Sequence, residues 1–208
     1  MAQDDLAPLV DAILAAPVRG ARRLVAVAGP PGAGKSTIAE RITAALEARG
    51  TRAVLVPMDG FHLDNRVLAA RGLLDRKGAP ETFDAAGFRH AVARLAEGGE
   101  VILPSFDRAR DLSVAGSVVI APEHGTVVVE GNYLLLDEPE WRDLVGFWDL
   151  AVALDVDMAT LRARLVQRWR DHGLSPEDAV ARAEGNDLRN ARRVLGNYLP
   201  ADLIWPGS

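Results

Sequence analysis

The stretch Gly29-Pro30-Pro31-Gly32-Ala33-Gly34-Lys35-Ser36 constrains what this chain can fold into more than any other. It fits the phosphate-binding pattern Gly-x-x-x-x-Gly-Lys-Ser/Thr at every position. The apolar run Leu24-Val25-Ala26-Val27-Ala28 precedes it, as a buried parallel strand requires. Ser36 to Glu47 follows with helical spacing, with Ile38, Ile42, Ala45 and Leu46 on one face and Gly50 closing it. Glycines let successive N–H groups curl around a phosphate, and the helix start adds its partial positive charge. The pattern assigns triphosphate contacts to Gly29, Gly32, Ala33, Gly34, Lys35, Ser36 and Thr37. Within it, Lys35 reaches the outer phosphates and the Ser36 hydroxyl ligates magnesium. A nucleoside-triphosphate site is therefore expected.

The 208 residues suit one α/β domain, 1–208. A net charge of −5 disfavours a general nucleic-acid binder. The absence of cysteine excludes disulfides, zinc-thiolate sites and cysteine nucleophiles. No apolar run is long enough to span a bilayer, and Asp4 and Asp5 stand where a basic leader would, so a cytoplasmic protein without membrane insertion is expected. Of 24 Lys plus Arg, only Lys35 and Lys77 are lysines. A compact ammonium at the phosphate loop is not replaceable by guanidinium. Lys77 has two readings, a second functional ammonium or an accident of composition.

Strands alternate with helices along the chain. Leu6, Leu9, Val10, Ile13 and Leu14 recur at helical spacing before Pro17. Ala53-Val54-Leu55-Val56 reads as a strand delivering Met58-Asp59-Gly60-Phe61-His62 to its carboxyl end, where ligands sit in open α/β sheets. Asp59 there is a base or magnesium-shell ligand, or else an Asp starting a turn before Gly60. His62 is a weaker candidate for substrate contact, since a lone histidine often serves a turn or packing. Residues 63–77 read as partly helical, and Asp84 caps a helix through Phe88, Val92 and Leu95. Val101-Ile102-Leu103-Pro104 reads as a strand releasing a charged loop, Ser105 to Asp111, in which Arg108 either contacts substrate or forms surface pairs. Ser117 to Ile120 is a short strand. Thr126-Val127-Val128-Val129 is fully apolar and ends in Glu130-Gly131-Asn132-Tyr133, placing a carboxylate to hold magnesium.

Leu150 to Leu154 reads as another strand, and Asp157 caps a helix with Leu161, Leu165 and Trp169 on one face and Arg162, Arg164, Arg168 and Arg170 on the others. Ser175-Pro176-Glu177-Asp178 starts a further helix. A polar segment with Arg189, Arg192 and Arg193 follows, and Leu203-Ile204-Trp205 supplies the last strand. Arginine-rich helices in an acidic protein suit a lid over phosphates, approximately 164–190; a solvated face is the alternative. The fold expected is a parallel sheet of five core strands with helices on both faces. Phosphate loop, Asp59, Glu130, Arg164 and Arg168 together suit phosphoryl transfer, which is mostly positioning and charge stabilisation.

Gly29 to Ser36, Met58-Asp59-Gly60-Phe61-His62 and Glu130-Gly131-Asn132-Tyr133 resemble the uridine kinase, bacterial pantothenate kinase and phosphoribulokinase group over nearly the whole chain. Asp75-Arg76-Lys77-Gly78-Ala79-Pro80-Glu81-Thr82-Phe83-Asp84 and the late Asn186-Asp187 with Asn190-Ala191 resemble a bacterial subgroup described as fructose transport system kinases, or uridine-kinase-like proteins. The resemblance implies ATP as donor with Mg2+, Asp59 as base, and lid arginines at Arg164 and Arg168. It leaves the small-molecule acceptor open; the substrate contacts expected are Asp59, His62, Lys77, Arg108 and Tyr133, and dimers occur in the related families. Asp107, Arg108 and Arg110 replace the aromatic and histidine pattern of uridine kinases, which weakens a nucleoside acceptor, and the chain is shorter than bacterial pantothenate kinases. A small polar acceptor, such as the sugar fructose, fits the polar loop better. The reading from another class is a nucleotide-dependent switch that regulates a transporter. No Asn-Lys-x-Asp guanine motif is present, and a base at a strand end favours the kinase.

Overall fold

The computed structural model describes residues 5–207, so Asp4 lies outside the described residues. Pro8 in the first turn and buried Leu9, Val10 and Ile13 define helix α1 (Ala7–Ala15). Strand β1 (Arg23–Ala28) alternates its apolar residues between two cores. Leu24, Ala26 and Ala28 face one, and Val25 and Val27 the other. Helix α2 (Lys35–Ala48) lies over the second core through Ile38, Ile42 and Leu46. Strand β2 (Ala53–Pro57) runs into a 3-10 turn, Met58–Phe61. Asp64 caps the short α3 (Asn65–Ala70) and Asp84 caps α4 (Ala85–Glu97), each accepting a first-turn amide. Strands β3 (Val101–Asp107) and β4 (Leu112–Ile120) precede β5 (Thr126–Gly131) and β6 (Leu150–Asp155). Asp157 caps α5 (Met158–Asp171), and Ser175 caps α6 (Pro176–Arg182). A π-helical turn, Ala183–Asp187, passes into α7 (Leu188–Gly196), and β7 (Leu203–Pro206) follows.

The central sheet has the order β2-β5-β1-β6-β7, and every neighbouring pair is parallel. With α4 packed on one face and α1, α2 and α5 on the other, β1 and β5 are buried on both sides. The five core strands and two helical layers agree with the sequence reading. Chain direction reverses its drift across the sheet at β1, which opens a crevice beyond the strands' carboxyl ends.

The hairpin β3–β4 corrects that reading. Ser105 to Asp107 are strand rather than loop, and the partner strand begins at Leu112 rather than Ser117. Asp107 pairs with Leu112, leaving a four-residue turn in which Asp111 takes φ 53°. The hairpin is antiparallel and separate from the main sheet. Its seat is the turn after β2, where a Cβ on Gly60 would collide with the Pro104 carbonyl oxygen. Its root is held by buried Arg22, whose guanidinium donates to the carbonyls of Leu95, Gly99, Ala121 and His124.

Candidate active site

The loop after β1, the turn after β2, the end of β5 and helix α5 open onto one cleft of about 820 Å³. Gly32 and Gly34 take φ 82° and 87°, a region costly for residues with a Cβ. Gly34 is the N-cap of α2 and offers no side chain to cap it. The first amides of α2 therefore face the cleft without a side-chain acceptor, which suits an anion. The amide of Ala33 is an exception to the expected phosphate contacts. It donates to Pro30 O at 3.1 Å, and its side chain is buried, so it closes the loop.

Lys35 is 8% exposed, and its ammonium donates to Pro30 O at 3.0 Å. Burial lowers its pKa, and the carboxylates of Glu130 and Asp59 pull it back up. Glu130 is 5% exposed, at the end of β5 rather than past it. Its carboxyl is pushed up by burial and held down less strongly by Lys35 and by the Ser36 hydroxyl, which donates to Glu130 Oε1 at 3.1 Å. A hydroxyl and a carboxylate oxygen converge there, both hard donors. Asp59 stands across the cleft on the turn after β2. One of its oxygens accepts from Arg108 Nη2 at 3.0 Å, while the Arg108 side chain stays 71% exposed.

His62 lines the same cleft, stacked between Phe83 and Phe106 with ring centroids at 4.0 and 4.6 Å. Its Nδ1 lies 2.8 Å from the Asp59 carbonyl oxygen. A carbonyl only accepts, so Nδ1 carries the proton. Burial lowers the ring's pKa, which leaves Nε2 as a free acceptor at neutral pH.

Two residues expected to contact substrate have protein partners here. The three donors of the Lys77 ammonium go to Asn65 Oδ1 at 2.7 Å and to Asp111 O and Oδ1, each at 2.8 Å. It clips the hairpin tip to α3 at the edge of the cleft, with its three donors on protein acceptors. Tyr133 is fully buried in the aromatic core, and its hydroxyl donates to the Gly78 carbonyl, so it shapes the cleft wall from behind. Among the arginines expected on a lid, Arg168 lines the cleft and pairs with Asp187 Oδ2 at 3.2 Å. Arg164 does not line it; its guanidinium reaches Gly32 O at 3.3 Å on the back of the loop. Arg193 lies away from the cleft, bonded to Glu81 and Glu138. Sequence reading missed Asp187, which also accepts from Trp169 Nε1 at 2.5 Å. Its signal was its place in the late Asn186-Asp187 stretch. Trp169, read as an apolar face, lines the cleft.

An anion-binding helix start facing carboxylates at the ends of neighbouring parallel strands, under arginine-bearing helices, defines a P-loop kinase. The chain belongs to the family described as Phosphoribulokinase / Uridine kinase, whose model matches residues 24–183. It is thus an ATP-dependent small-molecule kinase. The crystal structure of a "putative fructose transport system kinase" from Silicibacter sp. TM1040 is 55% identical and superposes with a TM-score of 0.94, covering 97% of this chain and 99% of that one. A "putative uridine kinase" of Schizosaccharomyces pombe is 35% identical over 197 residues, covering 88% of this chain and 82% of that protein. A pantothenate kinase of Sorangium cellulosum is 34% identical over 175 residues, covering 81% of this chain but 56% of that protein. No helix among the described residues is long and apolar enough to cross a membrane.

Proposed function

We propose that this kinase transfers the γ-phosphoryl group of ATP to a hydroxyl of a small polar metabolite, with a sugar such as fructose as the leading acceptor. The observation that carries this reading is Asp59, a carboxylate across the cleft from the phosphate loop with Arg108 on one oxygen. The amides at the start of α2 and Lys35 hold the β and γ phosphates. Ser36 and Glu130 fit a magnesium ion, which when bound would offset phosphate charge. Asp59 takes the proton of the acceptor hydroxyl as that oxygen bonds to the γ-phosphorus. The bond from the γ-phosphorus to the bridging oxygen breaks, and ADP leaves with the electron pair. Arg168 offsets charge on the equatorial oxygens, and Arg164 stiffens the loop through Gly32. Residues 164–190 act as the lid of a single kinase domain, 1–208.

The sugar is supported by the name of the Silicibacter relative and by the polar character of Arg108, Asn132 and His62 around Asp59. The test is ADP release over sugars, nucleosides, pantothenate and other small alcohols. Fructose should stimulate release, and stimulation by a nucleoside alone would replace the sugar reading. Asp59→Asn should leave ATP affinity unchanged and cut acceptor-stimulated release on the order of 10²-fold. Full activity would remove Asp59 as the base.

A further inference from the structure

The two stretches that single out the fructose-transport-type subgroup, 75–84 and 186–191, touch each other. Arg76 donates to Asn186 Oδ1 at 2.8 Å and to Asn190 Oδ1 at 3.1 Å. Asn186 Nδ2 donates to the Lys77 carbonyl at 2.8 Å. Asn186 and Asn190 are 3% and 1% exposed, so both amides are fixed by this network. The phosphoryl-transfer roles assigned above use neither stretch.

What the contacts join is informative. Lys77 holds the tip of the hairpin through Asp111, and the same tip carries Arg108, which sits on Asp59. On the other side, Asn186 and Asp187 occupy the π-helical turn, a rare geometry that recurs at functional sites. These neighbours serve different partners: Asn186 reaches the 76–77 strap, while Asp187 holds Arg168 and Trp169 of α5. A polar route therefore runs around the cleft from Arg168 to Asp59, and its only covalent steps are within short turns. Spatial connection alone does not establish coupling. Two parts joined by several part-buried hydrogen bonds, anchored on the buried Asn186 and Asn190, do, however, have to move together or break those bonds.

We propose that Arg76, Lys77 and Asn186 are positioning residues that register the acceptor hairpin to the lid. Closure of the lid on ATP then fixes Arg108 and Asp59 for the acceptor. This deepens the kinase reading and rests on nucleotide binding at the phosphate loop.

Hydrogen exchange read by mass spectrometry on the full chain, with and without magnesium and adenylyl imidodiphosphate, tests it. In the wild type the analogue should slow exchange in 29–37, in 165–187 and also in 105–113. In Arg76→Ala and Asn186→Ala, protection of 29–37 should persist while the response of 105–113 is lost. Arg76→Lys keeps the charge but replaces the planar fork, whose Nη1 and Nη2 reach Asn186 and Asn190 separately, with one ammonium on a shorter stem, so it should fold and still lose the hairpin response. Arg162→Ala, which removes a surface pair with Glu184, should retain it. A wild-type hairpin that ignores the analogue, or a hairpin response that survives in Arg76→Lys and Asn186→Ala, overturns the proposal. No protection of 29–37 in the wild type would instead defeat the nucleotide reading, and the proposal with it.

Discussion

The two walls of the cleft are built on opposite plans. The nucleotide wall is local: fourteen consecutive positions, from Leu24 to Thr37, supply strand, loop and helix start. Its polar groups are left open toward the cleft, with an uncapped helix start and a buried lysine resting on a carbonyl of its own loop. The wall proposed to receive the acceptor is assembled from segments far apart in sequence, including Asp59, Lys77 and Arg108. Nearly every polar group there already has a protein partner. A triphosphate is a constant ligand, and one continuous motif can hold it by backbone alone. An acceptor wall has to select, and selection rests on side chains held at fixed spacing by other side chains.

The comparison breaks most readily at Lys35. Lys35→Ala should lower ATP turnover on the order of 10³-fold while urea unfolding stays cooperative, because the Ala33 amide still satisfies the Pro30 carbonyl when the ammonium is gone. Retained turnover, measured as ADP release, would mean that the nucleotide wall works without its lysine. Gly60→Ala probes the other wall. The added methyl meets the Pro104 carbonyl, so the hairpin must shift, at a cost of about 1–3 kcal/mol. ATP binding by calorimetry should be preserved; a loss of both together would show that the walls are not separable. The smallest effect concerns His62, whose pKa is lowered below 6.5 in the folded state. The unfolded chain then binds the proton more readily. Stability from this residue is complete above pH 6.5 and is lost as pH falls through the folded value. His62→Gln should flatten that slope in urea melts between pH 5 and 7.5, and an unchanged slope would place the titration elsewhere.

The same contrast explains what could be read from residues alone. The phosphate loop, the strands around Val25, Val128 and Val152, and the capped helices after Asp84 and Asp157 are local patterns, and the structure has them where expected. The hairpin was only half visible. Ser105, Asp107 and Ser113 have weak strand preference, and their pairing is stabilised by docking on Gly60, a contact that no sequence window contains. Lys77 and Tyr133 looked available because an ammonium and a phenol advertise binding. Only the fold reveals that the ammonium is saturated by Asn65 and Asp111, and that the phenol is buried.

Helix α5 starts at an exposed cap, Asp157, and becomes anchored one turn in. Leu161 and Leu165 are fully buried, and Leu165 lies where a Cβ on Gly32 would touch it. The helix therefore has a fulcrum rather than a free end. A closing motion of this helix is expected as a tilt about these leucines rather than a lift. Arg164 is level with the fulcrum, and Arg168 lies one turn farther along. Two arginines on one helix are thus set apart by a single turn: one rests on the Gly32 carbonyl behind the loop, the other over the cleft beside Asp187.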